Sequence, residues 1–163
     1  MSKEALHSLE LKDEIVKNYF NTVYKLALAM TKHTANAEDV TQEVFLRCFR
    51  KDIVFESEEH IKAWLIRVTI NCSKNLFASS WFKKTVPLEA DIKFDSPEKG
   101  DVYFAVLSLP PKYRTAIHLF YYEDYKISEI AKILNESESA IKSRLSRGRD
   151  MLKTKLKGEY GIV

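Results

Sequence analysis

The sequence has few of the residues that mark cofactor, metal and disulfide sites. It contains 2 cysteines, 4 glycines and 4 prolines in 163 residues. Its histidines show no H-E-x-x-H or mixed Cys/His spacing, and no glycine-rich phosphate-binding pattern occurs. Cys48 and Cys72 are too far apart for a C-x-x-C pair and fall on apolar helical faces. We therefore expect two buried, reduced thiols, and neither a metal, a cofactor nor a small-molecule substrate.

Long apolar runs are also missing. No stretch approaches the roughly 18 residues that a membrane span needs, and the polar segment Met1 to Glu14 lacks the apolar region of a signal peptide. With 45% hydrophobic residues, the chain can nevertheless bury cores, and its length fits one ordinary domain or two small ones. These features predict a cytoplasmic protein.

The positive charge is concentrated near the end of the chain. There are 26 basic and 23 acidic residues in total, but residues 1–100 balance at 15 of each. Between Ser139 and Lys157 seven basic residues face one acid, Asp150. A segment this basic is either a solvated helix face or a surface that binds phosphates.

The first part of the chain predicts three helices that share one core. Apolar residues recur at helical spacing from Ile15 to Met30, from Val40 to Cys48 and from Ile61 to Leu76. Asn36, with Asp39 in the first turn, is the predicted N-cap of the second helix, and Ser57 that of the third. A short loop, Lys51 to Glu56, separates these two helices.

A second helical lobe follows a stretch without periodicity. From about Ala78 to Lys99 two prolines stand among alternating charges, which indicates a flexible linker. Helices are then predicted from Pro97 to before Pro110, from Pro111 to Tyr122, from Ile127 to Leu134 and from Glu138 to about Lys157. The prediction is an all-α protein of two small helical domains, 1–77 and 101–163, joined by a linker at 78–100.

The last two helices form a helix-turn-helix. Ile141, Leu145 and Gly148 share one sector of the final helix with Leu152 and Leu156, while Ser143 and Arg147 lie opposite. Small hydroxyls allow close approach to base edges, and arginine can bond guanine bidentately. The turn, the Ser137 cap and the one-sided charge favour DNA binding over a structural helix pair.

The same residues resemble a known family. Leu109–Arg114, Glu129–Ala131, Ile141–Leu145 and Arg147–Arg149 look like the region-four domain of extracytoplasmic-function (ECF) sigma factors of bacterial RNA polymerase. Ala37–Leu46 and Ala63–Val68, followed by Asn71, are similar to that family's region two. The resemblance covers nearly all of residues 15–156.

This resemblance implies a non-enzymatic specificity subunit that binds the polymerase core and promoter DNA, and is often held by an anti-sigma factor. Three sets of site residues are implied. The polymerase-binding set is Asp39, Gln42, Glu43, Phe45 and Arg47. The set at the minus-10 element is Phe55, His60, Arg67, Asn71 and Lys74. The set at the minus-35 element is Lys142, Ser143, Arg144, Ser146, Arg147, Arg149 and Lys153.

Two alternatives remain open from the residues alone. A stand-alone helix-turn-helix regulator would bind its site tightly without a polymerase, usually as a dimer on a palindrome. A small nucleic-acid enzyme would need clustered histidine, cysteine or carboxylate groups, which the sequence lacks.

Overall fold

The structure is a computed structural model, and it describes residues 3–50, 53–78 and 97–158. In these ranges every regular element is helical and there is no strand, as predicted. None of the helices in these ranges is long and apolar enough to cross a membrane. The α-helices are α1 (Lys3–Thr31), α2 (Thr34–Arg50), α3 (Glu58–Ala78), α4 (Pro97–Leu107), α5 (Pro111–Ile117), α6 (Ile127–Leu134) and α7 (Glu138–Gly158).

The chain divides into two compact units, residues 1–86 (unit 1) and residues 87–163 (unit 2). Unit 1 contains α1 to α3, and unit 2 contains α4 to α7. Most of the predicted linker, residues 79–96, lies outside the described residues, as do Lys51 and Asp52. Ala78 ends α3 and Pro97 begins α4, so helices extend into both ends of the 78–100 interval.

Unit 1 is a bundle in which α1 packs against both α2 and α3. Its fully buried side chains include Leu26 and Leu65, which lie on the apolar stripes that the sequence predicted, and Ile66, which was not among the predicted core residues. Cys48 and Cys72 are buried and free, as expected. Burial raises the pKa of both thiols, so they stay protonated and inert.

The predicted start of α2 is wrong. The helix begins at Thr34, and Asn36 lies inside it as a buried residue. His33 is the capping residue instead: its carbonyl accepts from the Ala37 N–H at 2.9 Å, and its Nδ1 accepts from the Asn36 N–H at 3.3 Å. The Nδ1 atom of His33 is therefore the capping acceptor at a position where Ser, Thr, Asp or Asn is usual. Asp39 consequently lies beyond the first turn.

The predicted start of α3 is confirmed. Ser57 immediately precedes the helix, and its Oγ accepts from the His60 N–H at 3.0 Å. His60 Nδ1 in turn accepts from the Glu56 N–H at 3.1 Å. These two bonds fix the segment between α2 and α3 against the first turn of α3.

Unit 2 contains the short helices α4, α5 and α6 beside the longer α7, and a polar contact links two of the short ones. Arg114 is only 3% exposed, and its Nη1 donates to the carbonyls of Leu107 and Leu109 at 3.1 and 3.0 Å. Burial lowers the pKa of Arg114 to about 10, so the guanidinium remains charged at neutral pH. Arg114 thus ties α5 to the end of α4.

The helix predicted over 111–122 is present, but its second part is wound as a π-helix. α5 ends at Ile117 and continues as a π-helical turn, His118–Tyr122. His118 is buried in this turn, stacks on Tyr122, and has its Nε2 3.5 Å from a Glu123 carboxylate oxygen. The apolar periodicity predicted the helix, but a change of winding leaves no trace in that pattern.

Candidate nucleic-acid interface

The final helix, α7, presents a basic and hydroxyl-bearing face on the surface of unit 2. Of the seven residues predicted to contact DNA here, six are exposed and Arg144 is half-buried. The opposite face is the packed one, because Ile141, Leu145 and Gly148 are buried. The described residues of α7 therefore have the sidedness that the sequence predicted. The seven are Lys142, Ser143, Arg144, Ser146, Arg147, Arg149 and Lys153.

Gly148 allows α7 to lie close to α5. A Cβ atom at this position would stand 3.0 Å from Ile117 Cγ1 and 3.6 Å from Tyr113 Cβ. A side chain here would have to displace Ile117, so the small residue sets the depth at which α7 seats. The seating holds the basic face of α7 at a fixed orientation on unit 2.

The turn before α7 is held by backbone and side-chain bonds. Asn135 ends α6 in the left-handed region at φ 53°, a conformation that asparagine adopts more readily than most residues. The Glu136 N–H then donates to the Ala131 carbonyl at 2.9 Å. Ser137 caps α7, since its Oγ accepts from the Ala140 N–H at 3.1 Å. The predicted three-residue turn and Ser137 cap are confirmed.

Three arginines of α7 have contacts within unit 2. Arg144 forms an ion pair with Glu136, with 2.9 Å between Nη2 and Oε1. Arg149 Nη1 donates to the Tyr121 hydroxyl at 3.3 Å. A side-chain hydrogen bond from Arg147, assisted by Lys112, lowers the pKa of Tyr113. Arg147 is exposed, and this bond links its side chain to Tyr113 of α5.

In unit 1 the residues predicted to meet the minus-10 element fall into a loop and a stripe. Phe55, in the segment before α3, makes edge-to-face contacts with His60 at 5.2 Å and Trp64 at 5.8 Å between ring centroids. Arg67, Asn71 and Lys74 are all exposed and follow one another at helical spacing on α3. The structure thus gives them a common outward face.

The residues predicted to bind the polymerase are divided between surface and core. Asp39 and Gln42 are exposed, and Glu43 pairs with Arg47 at 2.9 Å along the same face of α2. The hydrogen bond from Arg47 lowers the pKa of Glu43. Phe45 is only 6% exposed and stacks on Phe20, so it supports the surface from below.

Two apolar grooves were missed by the sequence reasoning. One, of about 550 Å³, lies between α1 and α2 beside Gln42, with Phe20 and Leu46 as its exposed walls. The other, of about 520 Å³, is lined in unit 2 by Val102, Leu152, Tyr121 and their neighbours. Exposed aromatic and leucine side chains at the edge of an amphipathic stripe are the signal that could have predicted them.

In the part of the chain that the structure describes, no group of three or more histidine, cysteine or carboxylate side chains could hold a metal ion.

Comparison with known proteins identifies the family. The model for sigma-70 region 2 matches residues 15–82, and that for sigma-70 region 4 matches residues 99–152. The chain is 35% identical over 155 residues to the ECF RNA polymerase sigma factor SigM of Bacillus subtilis, covering 86% of this chain and 92% of that protein. The chain belongs to the ECF sigma factors.

Solved structures agree on the fold of this sigma factor. The sigma factor RpoE of Bartonella quintana, solved with the anti-sigma factor NepR, matches with a TM-score of 0.78 at 23% identity, covering 92% of this chain and 98% of that one. CnrH, solved with the cytosolic domain of CnrY, matches with a TM-score of 0.70 at 19% identity, covering 93% of this chain and 90% of that one.

Sigma factors are non-catalytic transcription initiation factors. The chain directs promoter-specific initiation by RNA polymerase, and the alternative of a stand-alone regulator is not favoured.

Proposed function

We propose that the two units of this sigma factor divide the work of initiation. Unit 1 docks on the polymerase core and meets the minus-10 element, and unit 2 reads the minus-35 element. The observation that carries the proposal is the face of α7, where exposed cations and hydroxyls lie opposite a buried apolar stripe after a capped three-residue turn. We place the functional boundaries at 1–77 and 101–163, with 78–100 between them.

At the minus-35 element, four exposed side chains of the α7 face are proposed to meet base edges. Lys142, Ser143, Ser146 and Arg147 are exposed there, and an arginine or lysine can bond the O6 and N7 atoms of guanine. The cations at the flanks of the face are assigned to phosphates, which fix the orientation of the helix on the duplex. These are Arg144, Arg149 and Lys153.

At the minus-10 element, the segment before α3 is proposed to receive a base that has left the stack. Phe55 offers an aromatic ring held between His60 and Trp64, and stacking on such a ring stabilises an unpaired base. The stripe of Arg67, Asn71 and Lys74 on α3 then follows the strand and its phosphates.

The polymerase is proposed to dock on the exposed face of α2. Asp39, Gln42, Glu43 and Arg47 supply charge and hydrogen bonds, and Phe45 supports them from the core. The neighbouring groove between α1 and α2 adds apolar area beside this polar face, a combination typical of protein interfaces.

Regulation by an anti-sigma factor is a further part of the proposal. The RpoE structure that matches this chain contains such a partner, and here each unit has an apolar groove beside its proposed functional surface. A partner that covers both grooves would block polymerase docking by unit 1 and DNA binding by unit 2.

We expect the chain to act in the cytoplasm, where the polymerase and the promoters are.

Transcription by core polymerase, with and without this chain, tests the proposal on fragments of the source genome. We expect new start sites that share one upstream and one downstream sequence element, and weak binding by the free chain. Starts identical to those of core enzyme alone, together with tight binding of the free chain to a palindrome, would favour the stand-alone regulator instead.

A further inference from the structure

An ion pair joins the turn of the helix-turn-helix to α7. Arg144 Nη2 lies 2.9 Å from Glu136 Oε1. The Arg144 side chain is 22% exposed and that of Glu136 is 41% exposed, so the pair sits at the surface of unit 2. The proposed function assigns Arg144 to a DNA phosphate. In the free protein a carboxylate therefore already binds the group that a phosphate would bind.

The place of this carboxylate is set by the backbone. Asn135, in the left-handed conformation, reverses the chain after α6, and the Glu136 N–H is bonded to the Ala131 carbonyl. Ser137 then caps α7. Glu136 is thus fixed between two ordered helix ends, eight residues before Arg144.

Carboxylate and phosphate oxygens are alternative acceptors for the same guanidinium N–H groups. An exposed ion pair contributes little to stability, so exchanging one anion for the other costs the fold little. The contact of Arg149 is different, because its partner is a hydroxyl of Tyr121 and not a carboxylate.

We propose that Glu136 competes with the DNA backbone for Arg144, and so weakens the binding of α7 to phosphates and lowers its salt dependence. This inference rests on the proposed function, because it requires that α7 bind DNA. It makes Glu136 a residue that tunes affinity and does not itself contact DNA.

The opposite role for Glu136 is a structural one. If the ion pair mainly held the turn against α7, its loss would loosen the basic face and weaken DNA binding. When Glu136 is removed, the two roles predict opposite changes in DNA affinity. They also predict different slopes of log affinity against log salt, because only release of the guanidinium adds a phosphate contact.

The test uses the full-length chain and a fluorescent random-sequence duplex of about 30 base pairs, titrated by anisotropy between about 50 and 200 mM salt. For Glu136→Gln we expect a plot of log affinity against log salt that is steeper by about 0.9. Between these two salt concentrations the affinity of Glu136→Gln relative to the wild type should therefore fall by about three- to four-fold. Glu136→Lys should also raise the affinity at low salt and steepen the slope, as Glu136→Gln does.

Two further variants isolate the pair. Glu138→Gln removes the same charge two residues away, from a carboxylate that makes no ion pair among the described residues, and should leave the slope unchanged. In an Arg144→Gln background, Glu136→Gln should have no effect. Far-ultraviolet circular dichroism confirms that each variant is helical.

Weaker binding by folded Glu136→Gln, an unchanged slope, or a gain that persists without Arg144 would overturn the competition alone. If no variant, including the wild type, binds the duplex at low salt, the assignment of α7 to DNA fails, and the competition fails with it.

Discussion

The two units handle their buried polar groups differently. In unit 1 the hydroxyls of Thr41, Thr69 and Ser73 each donate to a carbonyl four residues earlier in the same helix. Unit 2 also has such a bond, from the buried Thr115 to the Pro111 carbonyl. In addition, its buried Arg114 bonds the carbonyls of Leu107, at the end of α4, and Leu109, in the turn that follows. A helix can lose one bond within itself with little effect, whereas the link between α4 and α5 depends on the bonds of Arg114. Unit 2 should therefore be the more easily damaged by a single polar substitution.

The largest expected effect is that of Arg114→Met. The variant leaves the carbonyls of Leu107 and Leu109 without their donor, which should reduce the free energy of unfolding of unit 2 by about 2–4 kcal/mol. In unit 1, Thr69→Val removes a buried hydroxyl but keeps the helix, and should cost about 1 kcal/mol or less.

Native-state hydrogen exchange read by mass spectrometry resolves α4 and α5 from α1 to α3. Exposed Arg67→Met is the control and should change neither unit. Equal losses in the free energy of unfolding for Arg114→Met and Thr69→Val would mean that unit 2 is no more sensitive to a polar substitution than unit 1.

The next effect concerns what unit 2 does. Arg147→Ala should cost about 1–3 kcal/mol in promoter binding and relax the preference at one upstream position. Arg149→Ala should weaken binding to all sequences alike, because Arg149 is proposed to contact a phosphate. Competition between single-position promoter variants for the holoenzyme measures both. Sequence-independent losses of the same size for the two variants would mean that α7 is rotated relative to the groove.

The helix caps offer a matched test across the units. Ser57 caps α3 in unit 1 and Ser137 caps α7 in unit 2, each through its Oγ at 3.0 or 3.1 Å. Ser57→Ala and Ser137→Ala should each reduce the free energy of unfolding of their own unit by about 1 kcal/mol. Asp at either position should restore most of the loss. A cost confined to one of the two caps would show that local capping is not equivalent in the units.

The smallest effect is a dependence on pH in unit 1. The hydrogen bond from Arg47 lowers the pKa of Glu43 below its ordinary 4.5, so the folded state favours the ionised carboxylate. The contribution of this pair to folding stability is present above pH 4.5 and is lost as the pH falls through the lowered pKa. Urea unfolding at neutral and acidic pH should show a slightly smaller acid-induced loss for Glu43→Gln than for the wild type. Identical losses would mean that this pair adds nothing.

Much of this fold could be predicted, because amphipathic helices leave a regular pattern. The bounds of α6, the start of α7 and the Ser57 and Ser137 caps all follow from short-range chemistry. The start of α2 was missed because a histidine caps it, which composition rules do not anticipate. The π-helical turn at His118 was missed because it keeps the apolar spacing of an α-helix.

For the site, the sequence predicted which side of α7 faces outward but not what its arginines contact. The contacts of Arg144 with Glu136 and Arg149 with Tyr121 join residues 8 and 28 positions apart. Such pairings depend on how helices pack, so periodicity cannot specify them. The two apolar grooves also arise only when neighbouring helices are in place.

The central claim, that docking belongs to unit 1 and upstream reading to unit 2, is tested most directly by capture of core polymerase. The variant with both Asp39→Lys and Glu43→Lys should stay folded, because these side chains lie at the surface of α2, yet should fail to retain the core enzyme. Arg147→Ala should retain it as well as the wild type does. Wild-type capture by the folded double variant, or loss of capture by Arg147→Ala, would contradict the account.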